Sequence, residues 1–368
     1  MNALQSSVSV DDDMEFKLPN LPVCLDAHPF NYAFAVGCVD GSVRLLHLES
    51  DNQNRTISQR WRKRYKAAVR GCKFAVDGNS LYVVSKNLAL CQQDLQTGSK
   101  MRCIQIAHNH APYSLYPIDQ HLIATGDENG ICKIWDWRLD RKPAVAEFRE
   151  CIDFVSDFVC DVAKTTLLFT SGDATLTAVD LRTMKPICQS EEMHTELLSL
   201  VIAMQGYRCL FGMVPYLLIM QNCVSGKRVL CSSGNGYLEV FNWDQWGTIV
   251  ERVDTGHQDS VEDLCLLDDR LLASASLDGS VRITHLCPNR FITVLAAHDS
   301  GVVALASTHD RRILASCGHD HKILFNDFDP EAFKLLKKRD PEQRERRITD
   351  KSQLQRKQFF RHMICKED

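Results

Sequence analysis

Several absences narrow the function of this chain. No apolar run reaches about eighteen residues, the length that a membrane-spanning helix needs. The opening residues, MNALQSSVSVDDDMEF, lack a basic segment followed by an apolar core, so we expect no secretory signal. A glycine-rich phosphate loop, a GxSxG nucleophile elbow and a CxxC pair are also missing. We therefore expect no enzyme activity, cofactor, metal, small-molecule substrate or membrane partner.

The cysteines do not suggest a disulfide framework. The chain has 16 of them in 368 residues, but they are scattered singly through predicted strands, as at Cys38, Cys132, Cys231 and Cys317. Reduced thiols that pack as small apolar side chains account for this distribution best. The pattern predicts a reducing compartment, the cytosol or the nucleus.

A hairpin phrase recurs throughout the sequence. LIATGDENGICKIWDWR, from Leu122, reads as two strands joined by an Asn-Gly turn, a strong hairpin signal. Seven copies of the phrase place their turns at Gly41, Leu88, Gly130, Ala174, Gly236, Gly279 and His321. The spacings are 47, 42, 44, 62, 43 and 42 residues. A period near forty predicts an all-β, seven-bladed propeller of four-stranded blades.

The two ends of the repeat region suggest how the ring closes. Residues 1–13 are polar and predicted to be disordered, whereas Met14–Leu18 resembles a strand without a hairpin partner. The seventh blade lacks a fourth strand, because a charged segment follows Asp327. We expect the N-terminal strand to complete that blade, giving a propeller over residues 14–329 and removing an open edge.

The 62-residue interval contains about nineteen surplus residues, YRCLFGMVPYLLIMQNCVS, at positions 207–225. The surplus is apolar and too short to cross a bilayer. One interpretation is a loop that binds a membrane or a partner. We favour an insertion or a gene-model artefact such as an unspliced intron, because an apolar surface loop promotes aggregation.

Three blades carry residues suited to a buried polar network. The sets are His108, Thr125 and Trp135 in blade 3, His257, Ser274 and Asp278 in blade 6, and His298, Ser316 and Asp320 in blade 7. His, Ser and Asp together suggest a hydrolase. A nucleophile is needed once, whereas a structural brace is needed in each blade, so the repetition favours the structural role.

The GH, DG and WD signatures resemble those of the WD40 repeat family over about residues 14–329. More narrowly, ATGDENGICKIWD, the SKN turn of blade 2, FNWDQWG at Phe241 and CPNR at Cys287 are similar to the WD repeat-containing protein 55 family. That family is similar to a yeast nucleolar protein of ribosome production. The resemblance implies a scaffold of the nucleus and nucleolus, with a cytoplasmic fraction, that acts in pre-ribosomal RNA processing. Its partners would be proteins of pre-ribosomal particles and pre-ribosomal RNA. The surplus at 207–225 and the short tail depart from the family pattern.

The tail at 330–368 holds twelve Lys or Arg and seven Asp or Glu, a charge of +5 that leaves −9 on the preceding residues. It is predicted to be helical, with two basic clusters arranged as in a bipartite nuclear import signal. The candidate import residues are Lys337, Lys338, Arg339, Arg344, Arg346 and Arg347. A solvated helix with interleaved Glu342, Glu345 and Asp350 is the alternative, and the family resemblance favours import.

A second basic stretch lies between the first two blades. It comprises Arg60, Trp61, Arg62, Lys63, Arg64, Tyr65 and Lys66. In a predicted inter-blade loop, its cations could bind RNA phosphates or an acidic partner, with the two aromatic rings free to stack on bases. An ordinary solvated loop is the interpretation that we favour.

Trp135-Asp136-Trp137-Arg138 matches the WDxR box of substrate receptors for cullin 4 ubiquitin ligases, and Val179-Asp180-Leu181-Arg182 echoes it. The resemblance implies that Trp135, Asp136, Arg138 and Arg182 form the region that docks on the ligase adaptor. The box is short and arises easily in WD40 repeats. A ligase receptor is therefore the second functional hypothesis, after the nucleolar scaffold.

Overall fold

The structure, a computed structural model, describes residues 14–51, 54–139, 144–193, 197–204, 227–268, 270–286 and 289–329. It contains seven antiparallel sheets of four strands each. Each sheet is one blade, and blades 1 to 7 begin with β2, β6, β10, β14, β18, β22 and β26. The seven-bladed propeller is thus confirmed. The predicted insertion at 207–225, the N-terminal segment 1–13 and the tail at 330–368 lie outside the described residues.

The first strand of each blade lines the axis of the ring, and each such strand packs against its counterparts in the two neighbouring blades. These inner strands are β2 (Pro22–Ala27), β6 (Val69–Phe74), β10 (Pro112–Pro117), β14 (Val155–Cys160), β18 (Leu197–Met204), β22 (Val261–Asp268) and β26 (Val302–Ser307).

The second strands are the most buried, and β3, β7, β23 and β27 are buried at every residue. They are β3 (Ala33–Cys38), β7 (Ser80–Ser85), β11 (Leu122–Asp127), β15 (Thr166–Ser171), β19 (Lys227–Ser233), β23 (Leu271–Ser276) and β27 (Ile313–Gly318). The sequence of a strand that is buried on both faces is a near-continuous run of apolar residues, without the alternation of a half-exposed strand.

The third strands are β4 (Ser42–Asp51), β8 (Ala89–Asp94), β12 (Cys132–Asp136), β16 (Leu176–Asp180), β20 (Tyr237–Asn242), β24 (Ser280–Leu286) and β28 (Lys322–Asp327). The outer strands are β5 (Asn54–Arg64), β9 (Lys100–Ile104), β13 (Ala146–Phe148), β17 (Lys185–Gln189), β21 (Glu251–Asp254), β25 (Asn289–Ala297) and, in blade 7, β1 (Met14–Lys17). β1 pairs antiparallel with β28, Met14 opposite Phe325, so the N-terminal strand completes blade 7 as expected.

The turn between the second and third strands has one conformation in all blades. The seven residues aligned from the sequence all adopt positive φ, from 62° at His321 to 84° at Gly236. Glycine meets this requirement without steric cost, which explains its use in four blades. The loops before the inner strands and these turns, for example 105–111 and 128–131, form what we call the upper face. The remaining turns, for example 161–165 and 181–184, form the lower face.

One cysteine pair departs from the sequence expectation. Cys91 and Cys103 are cross-strand partners in β8 and β9, with Cα atoms 4.0 Å apart, and they form a disulfide. Reduced thiols were expected throughout, which is wrong for this pair, because the register places both side chains on one face of the sheet. The other ten described cysteines are free.

Candidate functional site

The polar network of blade 3 is a directed chain of hydrogen bonds. Trp135 Nε1 donates to Thr125 Oγ1 at 2.8 Å, and that hydroxyl lies 2.7 Å from His108 Nε2. On the far side of the imidazole, His108 Nδ1 lies 3.0 Å from Asp127 Oδ2. Because the ionised Asp127 carboxylate can only accept, Nδ1 carries the proton of the neutral imidazole and donates it to Asp127, and Nε2 accepts from the Thr125 hydroxyl.

Blades 6 and 7 repeat this geometry. His257 bridges Asp278 and Ser274, each at 2.9 Å. His298 bridges Asp320 at 2.9 Å and Ser316 at 2.8 Å. The structure thus brings together all nine residues that the sequence placed in three blade networks.

These sets have the connectivity of a catalytic triad but not its accessibility. Thr125, Ser274 and Ser316 are at most 1% exposed, so no substrate carbonyl can approach their oxygens. A general base must lie within hydrogen-bond reach of the proton that it removes from a reacting group. The networks therefore fasten the loop before each blade to its second strand.

Electrostatics fix the charge states in these networks. Burial lowers the pKa of His108 and of His257, which keeps both rings neutral. Burial alone would raise the pKa of Asp127, but hydrogen bonds from His108 and from the backbone of Ile131 and Asn129 outweigh it and lower that pKa. Asp278 behaves in the same way, with a pKa of about 2.

Sequence reasoning missed Asp127. In blades 6 and 7 the carboxylate comes from the turn, one residue before Gly279 and His321. In blade 3 it comes from the last residue of the second strand, three residues before Gly130, and its other oxygen accepts from Asn129 N at 3.0 Å and Ile131 N at 2.9 Å. The signal was the Asp of GDENG, displaced by two positions.

The WDxR residues lie on the lower face. Arg138 makes a two-pronged contact with Asp136, Nε to Oδ1 at 3.0 Å and Nη2 to Oδ2 at 2.7 Å. This contact lowers the pKa of Asp136 to about 2. Arg182 follows β16 in the same way and lies 3.5 Å from Asp180. The two arginines are 63% and 74% exposed, whereas Trp135 is buried inside blade 3.

The predicted inter-blade loop is wrong for residues 60–64 of the basic stretch, whereas Tyr65 and Lys66 do lie between the strands of blades 1 and 2. Residues 60–64 belong to β5, the outer strand of blade 1, because β4 and β5 form a long hairpin with Trp61 opposite Leu45. Arg60 and Arg62 pair with Glu49 and Asp40. The exposed cations Arg60, Arg62, Lys63 and Arg64 line the outer edge of the propeller, and Lys66, also exposed, lies in the loop before β6.

The two aromatic rings of this stretch are engaged within the protein. Trp61 Nε1 donates to Leu95 O at 2.7 Å, and its ring covers Gly98. Tyr65 is buried against blade 2, where Lys100 Nζ lies 4.8 Å from the ring centroid and burial raises the pKa of the phenol. The cations could still contact phosphates, but base stacking by Trp61 and Tyr65 does not fit this arrangement.

Three further kinds of site are an import signal, a metal centre and a membrane span. The candidate import residues, Lys337 to Arg347, lie outside the described residues. Within the described ranges, no three His, Cys, Asp or Glu side chains are arranged to hold a metal ion. No helix in that part of the chain is long and apolar enough to cross a membrane.

The chain was compared with known families and proteins. The WDR55 family model matches residues 13–329. WD repeat-containing protein 55 of Arabidopsis thaliana is 30% identical over 83% of this chain and 80% of its own length. The protein of that name from Homo sapiens is 28% identical over 82% of this chain and 72% of its own. WD repeat-containing protein JIP5 of Coprinopsis cinerea is 29% identical over 82% of this chain and 70% of its own. With the seven closed blades and the repeated networks, these matches show that the chain belongs to the WDR55 family of WD40 repeat proteins.

Proposed function

We propose that this protein is a non-catalytic scaffold that acts in nucleolar ribosome biogenesis, where it supports pre-ribosomal RNA processing by binding proteins. The observation that carries the non-catalytic part is the burial of all three His/Ser(Thr)/Asp sets. Their chemistry is enclosed within the blades, which leaves the loops and edges as the surfaces that can act.

The nucleolar assignment rests on the family resemblance and on the charge of the chain. The tail carries +5, and exposed cations line β5, so an import receptor and pre-ribosomal RNA both have complementary surfaces to meet. We propose nuclear and nucleolar residence with a cytoplasmic fraction. The direct partners would be proteins of pre-ribosomal particles.

Affinity purification of the tagged full-length chain from cells tests this function. We expect large-subunit precursor proteins and pre-ribosomal RNA to co-purify above the level of a tag-only control. Depletion of the protein should cause unprocessed precursors to accumulate, and the wild-type chain should reverse this. Normal precursor levels after depletion, with no pre-ribosomal material in the eluate, would rule the assignment out.

One observation favours a second candidate, a substrate receptor of a cullin 4 ligase. Arg138 and Arg182 are exposed on the same face of adjacent blades, as two docking arginines must be. Arg138→Ala should then abolish co-purification of the ligase adaptor. Arg149→Ala is the matched control, because Arg149 is a similarly exposed arginine of blade 3 that pairs with Glu147. Adaptor recovery that is equal for both variants would exclude docking through this box.

A further inference from the structure

Positive charge is concentrated in one sector of the propeller. Residues 54–118, which include β5, blade 2 and the inner strand of blade 3, hold eleven Lys or Arg and two Asp or Glu, a net charge of +9. The rest of residues 1–329 then carries −18. A field of one sign attracts ligands of the opposite charge, so this sector should bind anions.

Five exposed cations of this sector have no carboxylate partner. We call them the seam cations, and they are Lys63, Arg64, Lys66, Lys86 and Lys100. Within the described ranges, no Asp or Glu oxygen lies within 4.0 Å of their side-chain nitrogens. In blade 3, by contrast, Arg138 is paired with Asp136 and Arg149 with Glu147. The charge of the seam cations is therefore available to an external anion.

Contacts between blades 1 and 2 bring three of the seam cations together on the outer edge. Lys63 of β5 lies against blade 2, where a Cβ atom added to Gly98 would be 2.9 Å from Lys63 Cε. Two residues after that glycine, Lys100 Nζ lies 4.8 Å from the centroid of the Tyr65 ring. Arg64 directly precedes this tyrosine, so all three cations lie at the same seam between the blades.

The other two seam cations continue this row toward the upper face. Lys66 directly follows Tyr65 in the loop before β6. Lys86 lies in the turn after β7, and its backbone N donates to Ala68 O of that same loop at 2.9 Å. The five cations therefore form one row from the outer edge to the upper face.

A buried guanidinium beside the row adds an independent excess of positive charge. Arg44 of β4 is 6% exposed and lies directly opposite Arg62 of β5. Its Nη1 donates to Gln59 Oε1 at 2.6 Å, but its Nε and Nη2 have no hydrogen-bond partner among the described residues. Like charges at opposite positions repel each other, and Asp40, 3.3 Å from Arg62 Nη2, brings one negative charge against two positive ones. An anion bound along β5 would reduce the remaining repulsion.

The aromatic rings at the seam favour phosphates over an acidic protein segment. Trp61 is engaged with Leu95 and Gly98 of blade 2, and Tyr65 is buried. Neither ring offers the desolvated pocket that anchors a protein partner, and neither can stack on an unpaired base. Phosphate binding needs only accessible cations, and a nucleic acid duplex presents closely spaced phosphates while its bases remain stacked on each other.

We propose that the seam cations bind the phosphate backbone of double-stranded RNA without reading its sequence. Each phosphate that a cation neutralises releases condensed counterions, so the affinity should fall steeply as the salt concentration rises. The choice of RNA rests on the proposed function, which this inference deepens by naming the surface that meets pre-ribosomal RNA. The phosphate chemistry rests on the unpaired charges of the seam.

Anisotropy titrations of the purified full-length protein test this site. The probes are two fluorescein-labelled RNA duplexes of equal length and unrelated sequence, and a labelled Asp/Glu-rich peptide. We expect the Kd values of the two duplexes to agree within about twofold, because phosphates carry no sequence information. The acidic peptide should bind at least about tenfold more weakly than either duplex.

A triple variant at the outer edge locates the binding. Lys63→Gln, Arg64→Gln and Lys100→Gln together remove three phosphate contacts, so the affinity for RNA should fall about tenfold or more. The slope of log K against log salt concentration should become shallower by about 2 to 3, because each lost contact removes about 0.9 from the slope. A second variant, Lys66→Gln with Lys86→Gln, should weaken binding about fivefold. Thermal melting of each variant checks that the fold is retained.

The matched control removes three exposed cations that also lack a carboxylate partner in the described part of the chain. It combines Lys164→Gln, Lys185→Gln and Arg311→Gln, in blades 4 and 7. Its net charge equals that of the outer-edge variant, so a non-specific effect of charge would act on both alike. We expect its affinity for RNA to stay within about twofold of the wild-type value.

Equal RNA affinities of the two triple variants would overturn the proposal, as would a preference of more than about tenfold for one duplex or equally tight binding of the acidic peptide. In cells, RNase should digest the nucleic acid that is cross-linked to the protein, and digestion by DNase instead would refute the choice of RNA. Binding of RNA in vitro without pre-ribosomal material in the cellular purification would remove only the nucleolar assignment. Pre-ribosomal proteins that co-purify equally with the wild type and the outer-edge variant, without binding of RNA in vitro, would remove only this site.

Discussion

Blades 3 and 4 have different kinds of residue at structurally equivalent positions, mainly polar in blade 3 and mainly apolar in blade 4. The residue four places before the inner strand is His108 in blade 3 and Cys151 in blade 4. The strand registers then align Thr125 with Phe169, Asp127 with Ser171 and Trp135 with Val179. One blade closes around a polar network, and the next closes around a sulfur atom, two apolar side chains and the Ser171 hydroxyl, all of them buried. The propeller therefore requires a filled, closed position here and does not require a His/Asp pair.

Blades 1, 2 and 5 have different residues again at these positions. The positions equivalent to His108, Thr125 and Trp135 hold apolar residues in two of these blades, namely Leu18, Val36 and Leu46 in blade 1 and Met193, Cys231 and Phe241 in blade 5. In blade 2 the same three positions hold Tyr65, Val83 and Gln93. In the described part of the chain, a network of His, hydroxyl and carboxylate is present in blades 3, 6 and 7. This alignment also explains Tyr65, which holds the histidine position of blade 2 and is therefore a core residue. Replacing a complete buried polar set with apolar side chains is often neutral for stability, whereas leaving it half-made is costly.

The largest predicted difference between the two blades comes from truncating the aligned residues. His108→Ala leaves Asp127 Oδ2 and Thr125 Oγ1 buried without their imidazole partner, and we expect it to lower the free energy of unfolding by about 3 kcal/mol. Cys151→Ala removes one buried sulfur atom and should cost about 1 kcal/mol. Urea denaturation of both variants measures the two values. Equal decreases in the free energy of unfolding would mean that the hydrogen-bond network of blade 3 stabilises the fold no more than the packing of Cys151 does in blade 4.

The second prediction concerns the turn of the same two blades. Gly130 has φ of 78°, and a Cβ atom there would lie 2.3 Å from Cys151 O, a backbone atom that cannot easily move. Gly130→Ala should therefore lower the free energy of unfolding by about 2 kcal/mol.

In blade 4, Ala174 already carries a methyl group at φ of 66°, packed in an apolar cluster with Leu176 and Met193. Ala174→Gly is the matched control. The glycine relieves the backbone strain, but it also removes packing contacts and increases the conformational entropy of the unfolded chain. The net change in the free energy of unfolding should therefore stay below about 1 kcal/mol. If Gly130→Ala and Ala174→Gly had the same free energy of unfolding, the two turns would differ neither in backbone strain nor in the room available for a Cβ atom.

The propeller could be predicted from the sequence because the hairpin pattern that specifies each blade is short and recurs along the chain. The turn residues recur at a fixed period, so even the worn copies at Leu88 and Ala174 fell on the positive-φ position. The basic stretch at Arg60 was assigned to a loop because charged residues alternate poorly with apolar ones there. An outer strand, however, is packed on one side only and tolerates charge.

Contacts between blades were harder to predict. Arg70, Tyr113 and Phe154 come from three blades and are far apart in sequence, so only the closed ring reveals that the Arg70 guanidinium lies over the Tyr113 ring and that this ring packs against Phe154. The register shifts at Arg70 in β6 and at Tyr113 in β10 leave no mark in a pattern of alternating residues. Asp127 shows the same limit at short range, because a carboxylate two positions away can reach the same imidazole.

The smallest predicted effect is the pH dependence that His108 confers on blade 3, whereas blade 4 has Cys151 at the equivalent position. Burial holds the pKa of His108 and His257 below the ordinary value of 6.5, so the unfolded chain takes up protons that the folded chain resists. Their contribution is fully present above pH 6.5 and is lost as the pH falls below it. The Asp278 pKa of about 2 keeps that carboxylate ionised throughout this range, so Asp278 itself adds no dependence between pH 6.5 and 5. His108→Gln should flatten the fall in unfolding free energy over this interval, whereas His110→Gln, in the exposed part of the same loop, should leave the slope unchanged. Identical slopes for the two variants would mean that blade 3 responds to pH no differently from its apolar neighbour.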